Sequence, residues 1–151
     1  MDSRYALSAY RNANMTLPPL LAVVSFYDEV LVCLRSAAEA AESGDFGVQF
    51  DQVRRATDIL RVLLAALDLE RGGILAERLR DGYENNMVAL MGTVGKPNAS
   101  ECLARIGNGL RELRDAWREI ASKQEVRTEA SPHEGRAVRD ERSRRPLERD
   151  E

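Results

Sequence analysis

Between residues 19 and 122, apolar side chains recur at steps of three and four, the spacing that keeps them on one face of an α-helix. The first such stripe is Leu20, Val23, Val24, Tyr27, Leu31, Leu34 and Ala38. It predicts a helix from Pro19 to Ala41, opened by a proline suited to a first turn and ended at Ser43-Gly44-Asp45. Val53, Ala56, Leu60, Leu63, Leu64 and Leu67 predict a second helix over Gly47–Leu69, with Gly72-Gly73 as the break that follows. Leu75, Leu79, Tyr83, Met87, Leu90 and Val94 predict a third over Ile74–Val94, ended by Gly95-Lys96-Pro97. The cleanest stripe, Leu103, Ile106, Leu110, Leu113, Trp117 and Ile120, predicts a fourth over Ala99–Ser122. Asn98 with Glu101 three residues later matches a capping box, with Asn in place of Ser or Thr. Four long helices joined by short breaks must run antiparallel to their neighbours. The expected fold is all-α: an antiparallel up-down four-helix bundle.

The flanks read differently. Residues 1–16 are a polar lead with three spaced anchors, Tyr5, Leu7 and Tyr10, expected to form a short capping segment packed on the bundle of residues 17–122. From Lys123 to the end there are eight basic and eight acidic residues, and the only aliphatics besides alanine are Val126, Val138 and Leu147. Such a segment buries too little to offset its ordering entropy, so residues 123–151 are expected to be a flexible, disordered, charged tail, with helix only at its start.

Composition narrows the chemistry. Apolar residues make up 44% and aromatics 5%, which leaves Leu, Val and Ala to pack the core and favours helices over strands. The net charge of −3 supplies no field that recruits nucleic acid. The tail cluster Arg142, Arg144 and Arg145 is interleaved with acids and reads as a solubilising polyampholyte. The lone histidine, His133, is in the tail, so the Glu-x-x-His pairs of a di-iron bundle and the ligands of a zinc site are both missing. Gly95-Lys96 fails as a phosphate loop because the first glycine of that motif would fall at Leu90. Nothing pairs a nucleophile with a base. The expectation is a protein without catalytic activity, metal or cofactor. Cys33 and Cys102, far apart in helical patterns, are expected to be reduced thiols. Met1–Tyr5 begins no signal peptide, and the longest apolar run, Leu20–Val24, is too short to span a bilayer. Together these predict a cytoplasmic protein.

Helix two carries more apolar surface than one core stripe needs. At about 100° per residue, Ile59, Val62, Ala66 and Leu69 fall roughly 80–160° from the stripe of Ala56, Leu60, Leu63 and Leu67, forming a second stripe interrupted mainly by Arg55. Phe26, Val32 and Cys33 lie off the main stripe of helix one in a related way. A helix apolar on two sides must be covered on two sides. One reading is a wider core with helix two at its centre. The other is a groove for a partner polypeptide. On the second reading, Tyr5, Leu7 and Tyr10 lie over the groove when the partner is absent. The alternative for these residues is a frayed end with one packed tyrosine.

Several stretches, taken in order, are similar to a known family. Ala9-Tyr10 precedes a loop; Pro19 comes before Phe26-Tyr27-Asp28; Leu67-Asp68-Leu69 is followed by Gly72-Gly73, then by Ala76, Leu79, Tyr83 and Met87. This set, spread over about residues 5–122, resembles the FliS family of flagellin-specific export chaperones. The family commonly has Gly after Tyr-Asp, where this chain has Glu29, and Gly-Gly-Glu-Ile-Ala where this chain reads Gly72-Gly73-Ile74-Leu75-Ala76. The resemblance implies a cytoplasmic chaperone that holds the disordered C-terminal segment of flagellin in apolar grooves on the outside of the bundle. It also implies prevention of premature polymerisation and delivery to the export apparatus, with the export gate protein as a further partner. Tyr5, Leu7, Tyr10, Ile59, Val62, Ala66 and Leu69 are the expected client-binding residues. Two alternatives stay open: a helical adaptor, regulator or secretion chaperone with another client, and a structural homo-oligomer that buries the extra stripe against a second copy. Weak homodimerisation is compatible with a chaperone as well.

Overall fold

The computed structural model describes residues 19–130. They form four helices in chain order, α1 (Pro19–Ser43), α2 (Phe46–Ala65), α3 (Leu69–Met91) and α4 (Ala99–Glu129), packed as an antiparallel up-down bundle. Tyr5, Leu7, Tyr10 and His133 lie outside the described residues, as does the chain beyond Ala130.

The turns follow from local chemistry. At the end of α1 the Asp45 amide donates to the Ala40 carbonyl and the Gly44 amide to that of Ala41, with Gly44 at φ +76°. This is the Schellman arrangement, which needs a left-handed residue. One residue on, the Asp45 carboxylate accepts from the Val48 amide at 3.0 Å and caps α2.

α2 ends at Ala65, four residues earlier than its apolar pattern predicts, because Asp68 starts the next helix. The Asp68 carboxylate accepts from the Arg71 amide at 3.0 Å, so Leu67-Asp68-Leu69 is the entrance of α3 and not the exit of α2. The expected break at Gly72-Gly73 is a kink inside α3. Gly73 adopts φ +53°, ψ −140°, a combination open to glycine and costly for other residues. The regular part of α3 resumes at Ile74, where periodicity placed its start. Asn98 stands at the N-cap of α4 but makes no side-chain cap bond. Glu101 pairs with Arg105 at 3.1 Å, one turn along the same helix, so the expected capping box is not formed. α4 also continues past Ser122 to Glu129, supported at that point by the Lys123–Glu119 pair at 2.8 Å.

α1, not α2, is the central helix. It packs along most of its length against α2 on one flank and α4 on the other, while α3 rests chiefly on α2 and touches α4 little. Ala22, Val23, Tyr27, Val30, Cys33, Leu34, Ala37 and Ala40 of α1 are all buried. The α1/α4 seam is held from outside by Asp28, whose carboxylate accepts from Arg114 at 2.8 Å and from Arg118 at 3.2 Å. At its far end the Ser100 hydroxyl donates to Glu42 at 2.7 Å. These contacts fix α1 and α4 as antiparallel.

Polar groups inside the bundle are matched across helices. The Tyr27 and Tyr83 hydroxyls share a 2.7 Å hydrogen bond between α1 and α3, their ring centroids 6.3 Å apart. Trp117 of α4 adds a side-chain hydrogen bond to Tyr27. Gln49, fully buried at the start of α2, donates to the Thr93 carbonyl and accepts from the Gly95 amide, both at 3.3 Å, tying α2 to the α3–α4 turn. No buried side-chain nitrogen or oxygen among the described residues lacks a partner, as stability requires.

Burial pushes the Tyr27 phenol above its ordinary value, more than its bonds to Tyr83 and Trp117 pull it down. The folded state therefore holds this proton more tightly than the unfolded chain. The resulting stability is complete below about pH 10, the ordinary tyrosine range, and is lost as pH rises through the folded value. Burial raises the Cys33 thiol in the same sense. In urea unfolding between about pH 8 and 11, the wild type should lose more stability than Tyr27→Phe. At neutral pH, Tyr27→Phe and Tyr83→Phe should each cost about 1–2 kcal/mol, and the double variant less than their sum, because either single change already breaks the bond the two share.

Candidate functional site

The second stripe of α2 divides according to depth. Arg55 and Ile59, one turn apart, share the face of α2 turned toward α1: the Arg55 guanidinium donates to Glu29 of α1 on the outside of the seam, and Ile59, 8% exposed, belongs to the core. Glu29, where the FliS family commonly has glycine, thus supplies an ion pair across the α1/α2 seam. Both side chains are largely solvated, so the pair contributes little to stability. Cys33 is buried in the same region. Its thiol is raised chiefly by burial, with the Arg55 charge opposing and Glu29 adding to the rise. An inert, protonated thiol follows.

Further along the stripe the side chains face solvent. Val62 in the last turns of α2 is 48% exposed and Leu69 at the first position of α3 is 43% exposed. Ala66, the C-cap of α2, is half-buried between them. Ile74, just past the Gly73 kink, is also exposed. The α2–α3 corner therefore presents Val62, Ala66, Leu69 and Ile74 on short, capped backbone. On α1, Phe26 is partly buried against the core and Val32, 58% exposed, points away from both of that helix's packed flanks.

A second exposed apolar set was not evident from the periodicity. Phe46 and Phe50 stand four residues apart at the start of α2, and both are exposed, as is Met91 at the end of α3. Because α2 and α3 are antiparallel, joined here through Gln49 and Thr93, these residues belong to the same end of the bundle. The available signal was that two of the three phenylalanines of the chain lie one turn apart, outside the core stripe of Val53, Ala56 and Leu60.

Among the described residues, no group of His, Cys, Asp and Glu could hold a metal ion, and no helix is long and apolar enough to cross a membrane. The exposed side chains in question are hydrocarbon on a rigid helical frame. Such an arrangement can bind an apolar stripe of another polypeptide, and it holds no assembled catalytic constellation.

Compared with known proteins, the chain matches the family model described as Flagellar protein FliS over residues 1–124, which takes in all four helices up to the last turns of α4. No curated protein matches it.

The split within the stripe has a measurable consequence. Ile59→Ala should destabilise the fold by about 2–4 kcal/mol by opening a cavity. Val62→Ala should change stability by less than about 0.5 kcal/mol. Urea denaturation of the two variants checks both values.

Proposed function

The chain belongs to the FliS family of flagellar chaperones, and from that membership we propose that its client is the C-terminal segment of flagellin, held on the α2–α3 corner in the cytoplasm. The observation that carries this reading is the solvent exposure of Val62 near the end of α2 and of Leu69 at the start of α3. Val62, Ala66 and Leu69 meet the client directly in this account, and Ile59 supports them from below. Tyr5, Leu7 and Tyr10 act as a cover that the client displaces.

The physics of such a contact is simple. Segments that pack inside a filament carry amphipathic stripes, and free in solution those stripes associate with one another. A helix laid in an apolar groove hides its stripe until export. Each Leu or Ile fully buried contributes roughly 1.5–3 kcal/mol, against roughly 2–5 kcal/mol or more for ordering the client. Micromolar affinity needs a net of about 8 kcal/mol, so several anchors must act together. The reading needs no nucleotide: release comes from handover to the export gate, which offers the client a competing surface.

Wild-type protein should co-purify with full-length flagellin and not with flagellin lacking its C-terminal end. Val62→Asp with Leu69→Asp should weaken flagellin binding by about 100-fold or more, the loss expected for two aliphatic anchors, while circular dichroism stays helical because neither residue is in the core. Wild-type affinity in this double variant sinks the proposed site. Removing residues 131–151 should leave titration calorimetry of flagellin binding unchanged within about twofold, a difference under about 0.5 kcal/mol.

A further inference from the structure

The flank of α1 that faces α4 carries a cleft unrelated to the α2 stripe. It encloses about 190 Å³, more than the ~150 Å³ apolar cavity that accommodates a benzene ring, and so has room for one large aliphatic or aromatic side chain. Its floor is Leu31 and Leu34 of α1 with Leu103 of α4. Gly107 of α4 also lines the cleft and widens it. A Cβ there would stand 3.7 Å from Leu34 Cδ1 and 4.0 Å from Leu31 Cδ2, so even alanine would begin to fill it.

The rim is cationic. Arg35 of α1 and Arg111 of α4 both line the cleft. Arg111 Nη1 donates to Asn108 Oδ1 at 2.7 Å, a neutral partner on its own helix that steadies the guanidinium. On this seam Asp28 accepts from Arg114 and Arg118, Asp115 accepts from Arg114, and Glu42, at the far end, accepts from the Ser100 hydroxyl. Arg35 and Arg111 take part in no ion pair within the described residues. On a chain of net charge −3, two uncompensated guanidinium groups beside an apolar hollow make a local positive field, and guanidinium recognises carboxylate by paired hydrogen bonds.

We propose that this cleft is a second docking site, which takes an acidic polypeptide segment by seating one aliphatic side chain over Gly107 and pairing flanking carboxylates with Arg35 and Arg111. The partner is separate from the client of the α2–α3 corner. α1 lies between the two surfaces and presents opposite flanks to them, so both can be occupied at once.

The probe is a fluorescein-labelled amphipathic peptide with leucines four residues apart flanked by glutamates, compared by anisotropy with a peptide in which lysine replaces every glutamate. The full-length wild type should bind the glutamate peptide at least ~10-fold more tightly, the weight of one or two charge-assisted contacts. Arg35→Glu with Arg111→Glu should reverse that preference. Gly107→Leu should weaken binding of the glutamate peptide by a similar factor with helicity retained. If Gly107→Leu loses helicity, the charge reversal alone decides. The Val62→Asp/Leu69→Asp variant should bind the glutamate peptide like wild type. Equal affinity for the two peptides, no reversal in the double-Glu variant, undiminished binding by a folded Gly107→Leu, or loss of binding in Val62→Asp/Leu69→Asp overturns the proposal.

Discussion

A hydroxyl group inside a helical bundle must find its partner inside the bundle, and Tyr27 finds its partners on two other helices. Its bond to Tyr83 joins α1 to α3, and its bond to Trp117 joins α1 to α4. α3 leans mostly on α2 and barely touches α4, so apolar packing alone leaves its rotation loosely specified. A slip of one residue would turn Tyr83 by about 100° and break its bond to Tyr27. The polar centre therefore selects one register among several that hydrocarbon would tolerate. Gln49 does the same at the end of the bundle, where it ties α2 to the α3–α4 turn.

With the interior specified this way, the outer surface of α1 is divided between two seams. Each carries a charged tie: Glu29–Arg55 toward α2 and Asp28 with Arg114 and Arg118 toward α4. Solvated pairs of this kind add little stability. Their consequence is spatial, because they mark where the bundle is closed and leave other stretches open. Beyond Arg55, α2 keeps Leu60 and Leu63 fully buried while Val62 faces solvent. Beyond Arg114, the α4 seam opens over Gly107. The two open stretches differ in character, one hydrocarbon at a capped corner and the other an apolar hollow with a cationic rim.

The residues that carry the family resemblance are mostly architectural. Tyr27 is the polar centre, Asp28 ties α1 to α4, Asp68 caps α3, Gly73 makes its kink, and Ala76, Leu79 and Tyr83 face the core. A likeness built on such residues speaks to the shape of the scaffold. Exposed Val62 is not among them, and Glu29 shows how one exposed departure from the family pattern places an ion pair across the α1/α2 seam.

The sequence alone determined four helices, their antiparallel order and nearly all of the core stripes, because burying one face of a helix imposes a 3.6-residue period that survives in the order of the residues. It also singled out α2 as carrying more hydrocarbon than one stripe needs. What only the tertiary structure decided is how that excess is shared. Ile59 and Val62 have the same apolar chemistry and stand three residues apart, yet α1 covers one and not the other, since burial depends on where the neighbouring helix lies. The helix boundaries at Asp68 and Asn98 were likewise settled in space: one carboxylate reached a free amide and the other side chain did not. The cleft over Gly107 had no signature along the chain, since a missing side chain becomes a hollow only when a second helix passes above it.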